Sequence, residues 1–293
     1  MRRPRLLRPS KRQQTSERDL RLGRRPWNHA EFRTTVPDYI QKVPSMLWTQ
    51  EKRMLYFLAA REYTGEGAIA DMGSFLGGST VCLAAGLEGR SFEPPLIHAY
   101  DLFQVGTGAS QRYFPEGTPP ETSTLDDFKR NLGEHIKWVK IQEGDLLSFS
   151  WEDGPLEILF VDIAKSYKAF DHILLNYFPA LIPGESLVIL QDYLSPQTGP
   201  WHHIVMERLS SYFRYIVDCG SASVVFRLER AIPRRALLAS QWTEIPYPEK
   251  LDLMESAITK LDSEEKRDFL RSNLEILLQG KDLTWGMHYH DQT

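Results

Sequence analysis

The chain predicts an α/β protein: a mostly parallel sheet with helices on both faces, an antiparallel hairpin at its edge, and helical N- and C-terminal extensions. Three observations carry this reading. The short apolar runs "AIADMG", "PLIHAYD", "WVKIQEGD" and "LEILFVDIA" each stop at polar residues or glycine, as strands buried on both faces do. Helix-like segments lie between them, so successive strands are joined by crossovers and run parallel. The stretch "FRYIVDCGSASVVFRLE" reads as two β runs about a short Gly/Ser turn, which makes a hairpin.

Taken in order, "MRRPRLLRPSKRQQTSERDLRLGRRPW" is rich in arginine, nearly free of acids and without a sustained apolar period. Residues 1–35 are therefore expected to form a disordered basic arm, with a targeting segment or a polyanion-binding arm as its functional alternatives. Over residues 36–64 apolar positions recur at helical spacing, with Thr49 as N-cap and Gly65 as stop. Further helices are expected over 79–87, 125–135, 167–181 and 201–212, and a fifth strand at "SLVILQD". Residues 103–123 are too long and too rich in Gly, Pro, Ser and Thr for an ordinary connection, and are expected to form a lid over the strand ends. From 231 the chain turns helical again, "EEKRDFLRSNLEILLQG" being amphipathic. The main domain is thus expected over 36–230 and the C-terminal extension over 231–293.

With 293 residues, 42% of them hydrophobic and 25% charged, the chain has room for one large core with appendages. No apolar run approaches the roughly 20 residues of a membrane helix, and a secretory core is absent at the start, so a soluble, cytoplasmic protein is expected. Two cysteines supply neither a disulfide framework nor zinc-ligand spacing. A net charge of −4 argues against nucleic acid as the main partner, and self-association is left open.

The residues that carry chemistry stand where strands end. "IADMGSFLGGST" places Asp71 and three glycines after the first strand, at the edge where parallel sheets collect ligands. Gly73, Gly77 and Gly78 allow a sharp turn and a close ligand approach. The spacing is G-x-x-x-G-G, not the G-x-G-x-x-G of a nicotinamide dehydrogenase. A carboxylate at Asp71 repels a pyrophosphate and attracts an ammonium, which favours an amino-acid-like ligand. Asp101 ends the second strand, where a carboxylate accepts ribose hydroxyls, and Asp145 in "EGDLL" ends the third, within reach of an adenine amino group.

In this combination "DMGSFLGGST", "HAYDLF", "EGDLL", "LFVDIAKSYKAFDHI" and "PALIPGESLVILQDYLSP" resemble the class I S-adenosylmethionine-dependent methyltransferases. The chain is most similar in pattern to the catechol, caffeoyl-CoA and macrocin O-methyltransferase groups, over about residues 45–230. The resemblance implies a Rossmann-like, seven-stranded sheet and S-adenosyl-L-methionine as cofactor. It places Asp71, Gly73, Phe75, Gly77 and Ser79 at the methionine end of that cofactor, Asp101 at the ribose and Asp145 at the adenine side.

It also implies methyl transfer to a hydroxyl of a small molecule, a sugar or natural-product metabolite. Asp162, Gln191 and Asp192 would be oxygen ligands to Mg²⁺, and Lys165, in the D-x-x-K arrangement, the base. Proximity to a sulfonium and a metal would lower the lysine's pKa. His203, with His202, is the alternative base or acceptor contact, and Tyr113, Phe114 and Trp201 would wall the acceptor. Two departures stand against this pattern: Ala164 where macrocin-type enzymes have an acid, and the neutral Gln191. They support the alternative of a catalytically degenerate cofactor-binding relative; a cephalosporin-hydroxylase-like protein of the same fold, whose members share strand-end acids, is a further alternative.

Overall fold

Ile69 packs into one apolar cluster and its neighbours Ala70 and Met72 into another. The same alternation recurs at Ile158 and Leu159 and at Leu187 and Val188, so the central strands are covered on both faces. The structure, a computed structural model, describes residues 36–94, 96–106, 108–195, 199–219 and 222–279. The basic arm expected over 1–35 lies outside the described residues.

Seven strands form one sheet among the described residues: β1 (Ala68–Met72), β2 (Ile97–Asp101), β3 (Val139–Glu143), β4 (Leu156–Val161), β5 (Leu187–Leu190), β6 (Phe213–Cys219) and β7 (Ser223–Leu228). Their order is β3-β2-β1-β4-β5-β7-β6. Strands β1 to β5 pair in parallel, whereas β7 runs antiparallel to both β5 and β6. The hairpin is where the sequence predicts it, with its second strand inserted next to β5. One expectation needs correction: β3 is half-exposed, because it closes the sheet on its side and has a neighbour only in β2.

Helices α1 (Asp38–Lys42), α2 (Thr49–Phe57), α3 (Gly78–Gly86) and α4 (Leu125–Leu132) precede β3, and α5 (Tyr167–Asn176) follows β4. Next come α6 (Trp201–Arg208), then α7 (Arg234–Ala239), α8 (Tyr247–Thr259) and α9 (Glu264–Leu278). The N-cap of α2 is Trp48, not Thr49, because the Glu51 carboxylate reaches back to the Trp48 N–H at 2.9 Å. The helical path of α2 continues through a wide turn, Leu58–Glu62, and ends at the extended Tyr63, ahead of Gly65. The expected helix over 125–135 breaks after Leu132, since Gly133 adopts a φ of 53°. In the C-terminal extension, Met254, Ile258, Leu270 and Leu277 enter the same cluster as Phe170, Ile204 and Val205 of α5 and α6. Among the described residues no helix is long and apolar enough to cross a membrane.

A buried acid secures the entry to β1. Glu157, fully buried on β4, accepts the N–H groups of Thr64, Gly65 and Glu66 at 2.5, 3.0 and 2.9 Å, and the Thr64 hydroxyl at 2.9 Å. One carboxylate thereby satisfies a whole turn of main-chain donors. Glu157→Ala leaves those donors without their acceptor and should cost about 2–4 kcal/mol of stability in urea unfolding. Glu157→Gln, which keeps a carbonyl oxygen, should cost less.

Candidate active site

The ends of the parallel strands are stitched side by side. Gly73 and Ser74 donate to the Tyr100 carbonyl at 2.8 and 3.2 Å, Gly144 to Asp101 at 3.0 Å, Asp162 to Met72 at 2.8 Å, and Gln191 to Val161 at 3.0 Å. Asp101, Asp145, Asp162, Gln191 and Asp192 therefore meet along one carboxyl edge, on either side of the point where β1 separates β2 from β4. Gly73, at a φ of 95°, stands so close to β4 that a Cβ there would lie 3.0 Å from the Asp162 carbonyl carbon. A side chain there would need a left-handed backbone and a shift of the end of β4 by a few tenths of an ångström.

The glycine loop is packed by the chain itself. A Cβ on Gly77 would meet the Phe128 ring at 3.3 Å, and one on Gly78 would overlap Ser45. Asp71 is fully buried, so it does not line the edge as a direct ligand contact would. Its Oδ2 accepts the Ser79 hydroxyl at 3.0 Å and the Thr80 hydroxyl at 2.5 Å, bracing the first turn of α3. Oδ1 is buried without a hydrogen-bond partner among the described residues. Burial pushes the carboxyl up to about 6, against the pull of those hydroxyls.

Asp101 joins two loops. Its Oδ2 accepts the Phe75 N–H and its Oδ1 the Phe103 N–H, both at 2.8 Å. Phe75 and Phe103 adopt φ values of 47° and 51°, left-handed positions that cost bulky residues energy and persist where neighbours hold them. Burial raises the Asp101 pKa, and these two N–H groups lower it in part.

The connection that follows β2 begins here. Val105 and Thr122 are joined main chain to main chain at 2.8 Å, and Glu121 returns to Val105 at 2.9 Å, closing its base. Tyr113 and Phe114 meet the Phe75 ring edge-on at 5.5 and 6.1 Å, and the Tyr113 hydroxyl donates to the Ser45 carbonyl at 2.8 Å. Trp201, expected beside them, is buried elsewhere and donates to the Ala164 carbonyl at 3.0 Å. Asp145 is exposed and accepts the Leu147 N–H at 3.0 Å, capping the short turn Leu146–Ser148.

Beyond β4 and β5 lies a cluster of acids about one cation. The Lys165 ammonium stands 3.0 Å from Asp162 Oδ1, 2.7 Å from Asp192 Oδ2 and 3.5 Å from Gln191 Oε1. The Asp162 and Asp192 side chains are 18% and 24% exposed, and Lys165 is half-exposed. Asp192 is held at a φ of 62°. Burial alone would lower the lysine's pKa, but Asp162 and then Asp192 outweigh it and raise it, tempered by the exposed half of the side chain. This direction is opposite to the one a base requires. Burial raises the Asp162 pKa, although Lys165 pulls it down.

Sequence reasoning missed Glu51. Wholly buried on α2, it accepts the Ser223 hydroxyl at 2.6 Å and lies within electrostatic reach of Asp192 and Lys165. Its burial, foremost, raises its pKa. The signal available in the sequence was only an acid three residues after the helix cap.

His203 is fully buried, with Nε2 on the Tyr193 carbonyl at 2.6 Å, and burial lowers it to about 4. A ring so placed is neutral and has no access to an acceptor at the edge. The expectation of His203 as a base is corrected on that ground. His202 is likewise buried, edge-on to Phe170 at 4.7 Å.

For a cofactor carrying an ammonium, ribose hydroxyls and a sulfonium, the edge supplies partly exposed acceptors at Asp101, Asp162 and Asp192, and Asp101 retains lone pairs beyond the two N–H bonds it accepts. These residues fit such a group. For a divalent cation the fit is poor: the oxygens of Asp162, Gln191 and Asp192 converge on the Lys165 ammonium. A dication about 4 Å from an ammonium is repelled by about 8 kcal/mol at an effective dielectric constant of about 20. Among the described residues no group of three or more His, Cys, Asp or Glu side chains has the arrangement of a metal site.

Asp71 sets a pH dependence. Its folded pKa, about 6, lies above the ordinary 3.8, so the folded state holds the proton more tightly and loses stability as pH rises between these values. The loss amounts to about 3 kcal/mol at most. Asp71→Asn has no proton to lose; its stability relative to the unsubstituted protein should rise across that window, read by urea unfolding at pH 4, 5 and 6.

No protein-family model matches the chain, and no curated protein matches it. Solved structures do resemble it. The O-methyltransferase NovP matches with a TM-score of 0.52 at 13% sequence identity, over 74% of this chain and 100% of its own. The apo structure of CalS11, a TDP-rhamnose 3′-O-methyltransferase of calicheamicin biosynthesis, matches at 19% identity over 75% and 96% of the two chains, with a TM-score of 0.47. The strand order, the antiparallel β7 and the likeness to NovP together give this chain a Rossmann-like methyltransferase fold.

Proposed function

We propose that the chain transfers a methyl group from S-adenosyl-L-methionine to a hydroxyl of a small molecule, a sugar or a natural-product metabolite. The observation that carries this is the single edge on which the loop after β1, Asp101 after β2 and the Asp162–Lys165–Asp192 cluster stand together. When bound, the cofactor supplies an electrophilic methyl on a positively charged sulfur.

In this reading the loop from Gly73 to Ser79, with Phe75, holds the methionine end, and Asp101 accepts ribose hydroxyls through its remaining lone pairs. Asp145 and the exposed Leu147 flank the adenine. Asp71 acts from within, by holding Ser79 and Thr80 in place. At the acceptor end the cofactor would supply its methyl to the acceptor hydroxyl, and the Asp162 carboxylate would take the proton that the hydroxyl gives up. Lys165, a cation between two acids, steadies the negative charge that develops on the acceptor oxygen and does not act as the base. Positioning of the two reactants supplies most of the acceleration.

A second reading, a cofactor-binding relative without turnover, draws on Ala164, whose side chain is buried where an acid was expected. Isothermal titration with S-adenosylhomocysteine tests the shared premise. One molecule should bind per chain at micromolar concentration, weakened at least tenfold in Asp101→Ala and less in Asp145→Ala. Absence of binding to the folded protein at high micromolar concentration rejects both readings. Transfer of labelled methyl to a panel of glycosides and polyketides separates them.

A further inference from the structure

We propose that Lys165 is the resident cation of the acceptor end: its ammonium takes the position that a divalent metal would hold, and the chain works there without one. The inference rests on reading Asp162, Gln191 and Asp192 as that end of the site, but it concerns their occupant and not the cofactor.

The geometry is the argument. An ammonium has three N–H donors and no acceptor. Three oxygens from two neighbouring strand ends face it, Asp162 Oδ1 at 3.0 Å, Asp192 Oδ2 at 2.7 Å and Gln191 Oε1 at 3.5 Å. The two short contacts are charge-assisted. The longer one comes from a neutral amide, which serves an ammonium well and a hard dication less well than a carboxylate would. Asp192 occupies a left-handed backbone position to present its carboxylate here. Glu51, the third acid of the neighbourhood, is held by the Ser223 hydroxyl and the Trp48 N–H and does not contact Lys165 within ion-pair distance. The lysine leaves the pair of aspartates with a net single negative charge, the same sign that suits an adjacent sulfonium.

The test is uptake of Mn²⁺ by the full chain, read as loss of the free-ion signal in electron paramagnetic resonance. The unsubstituted protein should take up no Mn²⁺ more tightly than millimolar. Lys165→Met, similar in length and uncharged, should gain one site at least tenfold tighter, and Lys165→Met with Asp192→Asn should lose it again. Thermal unfolding of each variant accompanies the titration. One Mn²⁺ bound at micromolar concentration by the unsubstituted protein and abolished by Asp192→Asn overturns the proposal, whatever the folding of the variants. A folded Lys165→Met chain that gains no site overturns it as well. S-adenosylhomocysteine binding, measured alongside, reports on the methyltransferase reading separately, since its loss leaves the Mn²⁺ result standing.

Discussion

The Asp101 carboxylate is the constraint on which the ligand edge depends. It is bonded both to the loop after β1, through the Phe75 N–H, and to the connection after β2, through the Phe103 N–H. Each of those aromatics is in a left-handed backbone state, and each has further support: Phe75 against Tyr113 and Phe114, Phe103 against Phe128 at 4.8 Å. A strained state of this kind survives because several contacts determine it at once. The acid thereby ties the loop after β1 to the connection after β2, and presents to any ligand only the acceptor capacity it has left.

Electrostatically the edge is acidic with one internal counter-charge. Asp71, Asp101, Asp162 and Glu51 all have pKa values raised chiefly by burial, which records the cost of gathering carboxylates out of water. The chain meets that cost in different ways: hydroxyls at Asp71, main-chain N–H groups at Asp101, a hydroxyl and an N–H at Glu51, and an ammonium at Asp162. A positively charged ligand at this edge would relieve the remainder.

The sheet was legible in the sequence because each central strand is a continuous apolar run closed by a polar residue, and that pattern has one structural solution when helices alternate with it. The helix limits were less so. Glu51 moved the start of α2 to Trp48, and Gly133 split the helix over 125–135. Which residues stand at the carboxyl edge was readable from strand ends alone, and Asp101, Asp145, Asp162, Gln191 and Asp192 are there. What they touch was not. Burial of Asp71 and His203, the engagement of Lys165 by two acids, and the approach of Glu51 from the N-terminal cap depend on tertiary packing between distant segments, to which no local spacing points. Tyr113 and Phe114 were recognised as aromatic but not as partners of Phe75, for the same reason.

Gly73, at a φ of 95°, follows β1 where that strand pairs with β4. A Cβ at Gly73 would press on the Asp162 main chain at 3.0 Å, while the spacing of the two strand ends is set by the main-chain pairing of Met72 with Val161. That spacing is a property of the backbone, so side chains beyond the strand ends can change without moving the ends themselves.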